Sequence, residues 1–459
     1  VKQTISTKLK LNTTREQFQL LRKTQLAYRD ALNCVSQYAF ANGKTSSNLH
    51  LHKGCYRQIR ERYALPSQMA CSVEREVSAT YKGLWTKLRQ NTEHRKMGFT
   101  KKRFKGLDKA PHYSSPTLTY HLGHDYSLRK GQEVSILTLA GRLHIGYSGY
   151  QNHLDLIEKG AEVGAAKLWY DQPRKQFYLI VSLEVEVPDP QPQDHQQVIG
   201  VDVGIRYLAV TSDYQGKATF HPGKRVRHRA NHFARLRKRL QRKGTRSATR
   251  RLKTISRRER RLKQQANHQI STTIIKQHPH ALIGIEDLSG IRERTRRRTR
   301  RRKKNPHRGH GGKGTERVSR KARRANATYS KWSFAELHAQ LSYKAVLAGS
   351  MTIKVDADYT SKGCPKCGHG SAQNRPGKGL LFCCVNCHYT LHADLVGARN
   401  LTMRTLVLRQ DWIATGHLSV APGSCDPDVS ASEAKAARLS RYAELRWMPD
   451  ASPPCLSRG

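Results

Sequence analysis

The chain has 459 residues, with 84 Lys and Arg against 34 Asp and Glu and a formal charge of +50. The length exceeds what one compact core fills and implies two to four domains. Charge of that size repels itself unless a polyanion neutralises it, so nucleic acid is the expected partner. A membrane role is excluded on the same reading, because the sequence has no run of 18 apolar residues and no basic amphipathic helix with an apolar aromatic face.

Residues 3–11 alternate, with Ile5, Leu9 and Leu11 on one side, which predicts a first strand. Its charges stand where a secretory leader needs an apolar core, so the protein reads as intracellular. Thr13 and Glu16 are spaced as a capping box. Beyond them Phe18, Leu21, Tyr28, Leu32, Val35 and Ala39 share a helical face that Gly43 ends. A second helix is expected from about 66 to 88, with Val73, Val77, Tyr81, Leu84 and Leu88 in line. Residues 12–110 are therefore a helical module. Over 111–187 the signal changes to short β-branched and aromatic strands (VSILTL, RLHIGYS, AKLWYD, QFYLIVSLEV), a sheet or barrel that the first strand joins. Asp171–Lys175 reads as a hairpin loop, and the Pro-rich 188–197 as a linker.

From 198 a new unit begins. VIGVDVGIRYLAVTSD is of strand length, ATFHP is a shorter strand, and 225–278 is a pair of very basic helices interrupted at Gly244. ALIGIEDL is the next strand. Residues 292–324 are almost wholly Arg and Lys around a Gly-rich middle and cannot build a core; they read as a loop that orders on phosphate. A helix over 330–349, a strand over 351–359, a cysteine knuckle over 364–387 and a last helix holding Asp394 complete the unit to 408. Residues 409–459 balance six basic against six acidic side chains and read as a disordered tail with one short helix near 431–447.

Three acids stand out: Asp202 at the end of an apolar strand, Glu286 at the end of another, and Asp394 after the cysteines. Carboxylates far apart in sequence that meet at one sheet edge can hold two Mg²⁺ or Mn²⁺ ions about 3.5–4 Å apart for phosphodiester hydrolysis. Gly200, Gly204 and Gly284 permit close backbone approach there. Asp213, Asp287, Asp356 and Asp358 rank below these three. Cys364, Cys367, Cys384 and Cys387 form two Cys-x-x-Cys pairs separated by 16 residues, the spacing of a closed structural Zn²⁺ site. Cys383 is a rival to Cys384, and His369, His388 and His392 are spare donors. Aromatics such as Tyr38, Tyr56, Tyr81, Trp85, Trp169 and Tyr170 could stack bases, although such residues more often fill cores.

The segments GVDVGIRYLAV, GIEDLSGI, YTSKGCPKCGH, FCCVNC and HADLVGARNL, spanning about 198–401, resemble TnpB, the OrfB-type protein of bacterial insertion sequences, which is similar to compact type V CRISPR nucleases. The resemblance implies an α/β multidomain protein: an RNase H-like RuvC nuclease domain (198–363 and 388–408) interrupted by a zinc ribbon (364–387), and an N-terminal β-barrel (1–11 and 111–187) with an inserted helical recognition domain (12–110). It implies that Asp202, Glu286 and Asp394 are catalytic and that the four cysteines hold zinc. It also implies a guide RNA and target double-stranded DNA as partners, with cutting beside a short adjacent motif. One chain per guide RNA is the expected stoichiometry. The alternatives are a miniature type V CRISPR effector and, further off, a non-cleaving RNA-guided repressor. The 292–324 block is long and Arg-rich for the lid that follows the second acid in that family.

Overall fold

A computed structural model describes residues 2–98, 100–114, 117–195, 197–288, 332–376, 380–418 and 431–447. The Arg-rich block at 292–324 lies outside the described residues. The chain divides into two units, Val1–Val187 and Pro188–Gly459.

The first unit is built on seven antiparallel strands in the order β2-β6-β7-β1-β5-β4-β3. The first strand, β1 (Lys2–Leu11), pairs with β7 (Gln176–Glu186) from Lys2↔Glu186 to Lys10↔Tyr178 and, at its end, with β5 (Gly141–Ser148). Period-2 alternation sends Ile5, Leu9 and Leu11 inward against Phe177, Leu179, Val181 and Leu183. The outer strands are β2 (Thr117–Tyr120), paired with β6 (Glu162–Asp171), and β3 (Tyr126–Arg129), paired with β4 (Glu133–Thr138). A single bridge, Leu122↔Tyr126, spans the turn between β2 and β3, and the sheet is nearly closed. The predicted hairpin loop at 171–175 is one 3₁₀ turn, with Lys175 in the left-handed region.

Three helices are inserted between β1 and β2: α1 (Arg15–Ala41), α2 (Asn48–Tyr63) and α3 (Ser67–Lys96). The capping box on α1 is Thr14 with Gln17, one residue later than the Thr13–Glu16 reading. Thr14 is the last extended residue, its hydroxyl accepts the Gln17 N–H at 3.2 Å, and its own N–H donates to Gln17 Oε1 at 3.0 Å. α2 was not foreseen. Its inward stripe is only Leu51, Cys55 and Ile59 within a basic, His-rich segment. Tyr81 and Trp85, weighed as base-stacking aromatics, are tied into this layer by bonds to Ser36 O (2.8 Å) and Lys44 O (3.0 Å). A short helix, α4 (Gln151–Glu158), links β5 to β6.

The second unit is a five-stranded sheet in the order β10-β9-β8-β11-β12, with helices on both faces. The run beginning VIGVD is two strands, β8 (Gln197–Asp202) and β9 (Tyr207–Asp213), antiparallel to each other; β10 (Ala218–Pro222) follows. β11 (Ala281–Glu286) lies parallel to β8 on one side and to β12 (Met351–Val355) on the other. The basic segment is a helical hairpin, α5 (Lys224–Lys243) and α6 (Arg246–Gln277), turning at Gly244 with φ +64. Ile270 and Ile274 of α6 and Leu337, Leu341 and Ala345 of α7 (Phe334–Leu347) cover Ile199, Val201, Ile283 and Ile285 on one face. The opposite face packs on α8 (Ala393–Thr415), where Leu401, Leu408 and Trp412 meet Val198, Leu282, Ile353 and Val355. Each such fully buried side chain contributes about 1.5–3 kcal/mol.

Two findings change the reading of the tail. α8 continues to Thr415 because Trp412 is a core residue. The expected helix near 431–447 is present as α9 (Ala431–Ala443), and it is docked. Arg438 Nε pairs with Asp356 Oδ2 at 2.9 Å, Arg404 lies over the Tyr442 ring, and Trp447 N–H donates to Pro365 O at 2.8 Å. Among the described residues no helix is long and apolar enough to cross a membrane.

Candidate nuclease and metal centre

β8 and β11 run in parallel with Gly200 opposite Gly284 and Val201 opposite Ile285, which sets Asp202 and Glu286 side by side at the same strand ends. Parity then fixes their direction. Residues 198, 200 and 202, like 282, 284 and 286, point to the face that α8 covers. Asp394 stands in the first turn of α8. The N-cap of that helix is His392, whose Nδ1 accepts the Asp394 N–H at 3.3 Å. The three predicted acids are thus brought to one end of one sheet face.

The approach of α8 is unusually close. A Cβ on Gly200 would overlap Ala398 O and Thr402 N and lie 2.8 Å from Leu401 Cβ; one on Gly284 would overlap Thr405 Oγ1. A Cβ on Gly397 would be 2.9 Å from the Asp202 carboxyl carbon. The Gly200 N–H donates to the Thr402 hydroxyl at 3.0 Å, and that hydroxyl donates to Ser212 O at 2.8 Å, so the buried polar groups at the contact are satisfied.

Electrostatics follow from the crowding. Burial first, then the charges of Glu286 and Asp394, hold the Asp202 carboxyl well above the ordinary range, against a counter-pull from Arg375. Burial pushes Glu286 up to about 7, although hydrogen bonds from Thr360 and Asp202 and the Arg404 charge oppose it. Thr360 Oγ1 donates to Glu286 Oε1 at 3.1 Å. Carboxyls forced together in this way share protons until cations replace them.

Two of the lower-ranked acids have other tasks for their carboxylates. Asp213 is buried and its Oδ1 accepts the N–H groups of Gln215 (3.1 Å) and Lys217 (2.8 Å), closing the β9–β10 turn. Asp356 pairs with Arg438, and the Asp356 and Asp358 carbonyls accept from Arg404. Thr360, Arg375 and Arg404 are neighbours of the acids that sequence reasoning missed. Thr360 lies four residues before Cys364 in YTSKGCPKC, Arg375 inside the cysteine knuckle and Arg404 in the last helix, segments in which only the acid and the cysteines stand out by sequence.

Cys364, Cys367, Cys384 and Cys387 bring their four sulfurs within 4.8 Å of one another, and Cys383 is outside the group. Cys364 and Cys387 sulfurs are 3.6 Å apart, and those of Cys367 and Cys384 3.5 Å. A tetrahedral Zn²⁺ with bonds near 2.3 Å sets its sulfurs about 3.8 Å apart, so the donor set fits. The two knuckles have the same build. Gly368 N–H reaches Cys364 O at 2.9 Å, and His388 N–H reaches Cys384 O at 3.0 Å. Gly368 and His388 both take positive φ, +77 and +55. Asn400 of α8 donates to Thr360 O (2.7 Å) and Gly363 O (2.9 Å), which binds the knuckle to the helix that carries Asp394. Of the spare donors, His392 is the cap of α8, and the four-sulfur group includes no histidine.

Residues 181–290 match the OrfB_IS605 family model, described as "Probable transposase", and residues 334–401 match the "Cas12f1-like, TNB domain". The chain resembles both families. InsQ of Escherichia coli (strain K12), whose name reads "Putative RNA-guided DNA endonuclease", is 27% identical over 252 residues, covering 54% of this chain and 56% of InsQ. The CRISPR-associated endodeoxyribonuclease Cas12f1 of Sulfoacidibacillus thermotolerans is 23% identical over 272 residues, covering 54% of this chain and 56% of that protein. The chain therefore spans about half the length of the curated relatives it matches. Among solved structures, the mini-RNA-guided endonuclease CRISPR-Cas_phi3 aligns over 89% of this chain and 93% of its own, with 10% identity and a TM-score of 0.45. The Cas12f1 chain in a Cas12f1-sgRNA-target DNA complex aligns over 88% and 99%, with 14% identity and a TM-score of 0.34. Asp202 and Glu286 fall within the first matched segment, and Asp394 with all four cysteines within the second.

Proposed function

We propose that this chain is an RNA-guided DNA endonuclease of insertion-sequence type, with Asp202, Glu286 and Asp394 as the acids of a RuvC-like site and Cys364, Cys367, Cys384 and Cys387 as ligands of a structural Zn²⁺. The observation that carries the reading is the convergence of the three acids on one sheet end. It is supported by the similarity to InsQ and Cas12f1 over the stretch that contains them. When bound there, two Mg²⁺ or Mn²⁺ ions would supply an activated water and stabilise the leaving oxygen. The chain's own residues set the geometry. Asp202 is acted on by the charges of both other acids, Thr360 fixes one Glu286 oxygen, and the His392 cap aims the first turn of α8. The backbone of nucleic acid would be followed by the α5–α6 hairpin, where Arg229, His232, Phe233, Arg258 and Arg261 line a cleft of about 580 Å³. A guide RNA assigns sequence reading to base pairing, so the protein needs charge rather than base-specific side chains.

Purified protein with its co-expressed RNA should cut a plasmid carrying the matching target when Mg²⁺ is present. Asp202→Ala should bind the target and leave it intact; unimpaired cutting by that variant would refute the assignment. The reading of a miniature type V CRISPR effector is separated by sequencing the RNA that co-purifies. A transposon-end transcript favours the first reading and a repeat-spacer guide the second.

A further inference from the structure

The helical layer of the first unit holds three metal-ligating side chains that the nuclease reading does not use. His52 is on α2, while Cys71 and Glu74 stand three residues apart on one face of α3. A ring nitrogen of His52, the Cys71 sulfur and a carboxylate oxygen of Glu74 all lie within 4.8 Å of one another. Glu74 is the decisive member. Its side chain is 1% exposed, and one oxygen is 2.7 Å from His52 Nδ1. Its other oxygen, Oε1, is buried and has no hydrogen-bond partner among the described residues. A carboxylate taken out of water costs several kcal/mol unless both oxygens are compensated, and one histidine compensates only one of them.

We propose that His52, Cys71 and Glu74 bind a Zn²⁺ ion that staples α2 to α3. Nitrogen, sulfur and carboxylate oxygen together suit borderline Zn²⁺, whereas a thiolate does not suit Mg²⁺ or Ca²⁺. A cation placed among the three gives Glu74 Oε1 the partner it lacks. Burial pushes both the Glu74 carboxyl and the Cys71 thiol up, and a divalent charge between them opposes that push. Water would fill the fourth position, because the neighbouring buried thiol of Cys55 is outside the three-atom group. The ion would join two helices whose own shared apolar contact is narrow, since α2 buries only Leu51, Cys55 and Ile59.

The test is metal content of the full-length protein after equilibration with a zinc buffer. His52→Gln and Cys71→Ser should each hold one zinc per chain fewer than the wild type, whatever the four-cysteine site retains. An unchanged count in both variants overturns the proposal. A second measurement needs no substitution: alkylation of Cys71 by iodoacetamide, followed by mass spectrometry. Zinc should slow it by at least about tenfold relative to chelator-treated protein, because the free thiolate is the nucleophile. Equal rates with and without zinc also overturn the proposal. Both readouts are independent of DNA cutting, so they stand or fall apart from the nuclease reading.

Discussion

Gly200→Ala probes the contact on which the nuclease reading depends. The added methyl meets main-chain atoms, Ala398 O and Thr402 N, together with Leu401 Cβ at 2.8 Å, and main chain cannot rotate away. Restoring ordinary carbon contacts of about 3.5 Å requires α8 to retreat from β8 by roughly 1 Å. Overpacking of this kind costs about 1–3 kcal/mol of stability. The effect on chemistry is larger, because α8 carries Asp394 while the sheet carries Asp202 and Glu286. A 1 Å error in a reacting geometry costs about 100-fold in rate, or roughly 2.7 kcal/mol of barrier. Single-turnover cutting of a target plasmid by the RNA-loaded protein is the assay, with guide retention and thermal unfolding measured on the same preparation. Gly200→Ala should keep its RNA, melt a few degrees lower and cut about 100-fold more slowly. Gly83→Ala, in mid-α3 with nothing within 4 Å, is the matched control and should be neutral or slightly stabilising. Cutting by Gly200→Ala within a few-fold of wild type would show that α8 does not position the acids.

Further expectations concern protons, metals and salt. Because Glu286 is raised from 4.5 to about 7, the folded metal-free chain holds a proton that the unfolded chain has released, so stability is greatest below 4.5 and falls as pH rises through 7. The change from this one group is roughly 3 kcal/mol; denaturant melts in EDTA should show it, and Glu286→Gln should flatten it. For the same reason Mg²⁺ should raise the melting temperature more at pH 8 than at pH 6, and an equal rise at both would contradict a cation-binding acid cluster. Cys387→Ser should lose one zinc and lower the melting temperature, with added Mg²⁺ giving no rescue, as checked by metal analysis and calorimetry. Guide binding should weaken about 10³–10⁵-fold from 50 to 200 mM salt if 6–10 phosphates are contacted, read by filter binding; a flat response would exclude the phosphate role of α5 and α6.

Much of this architecture was legible in the sequence for physical reasons. Strands such as VSILTL and ALIGIE declared themselves through β-branched runs, and Gly244 marked the helical turn that the structure places there. Two acids at the ends of apolar strands could be suspected of converging, but their adjacency depends on the parallel register of β8 and β11, a tertiary fact. Other features carried too weak a local signal. α2 buries one residue in roughly each turn, so its periodicity is lost among charges. The end of α8 is hidden in the sequence because Trp412 stands in a polar stretch and only its place in the cluster with Val198 and Leu282 explains it. Thr360, Arg375 and Arg404 are ordinary by composition and gain a role only through proximity to the carboxyls.

The order of the segments along the chain has a temporal consequence. Asp202 and Glu286 emerge from the ribosome well before Asp394, and α8, which buries the face they share, is the last of the described elements packed on the central sheet to be made. On the nuclease reading, a truncated or still-growing polypeptide would have the sheet but not its third acid. Synthesis itself would then keep the protein harmless to nearby DNA until α8 has been made.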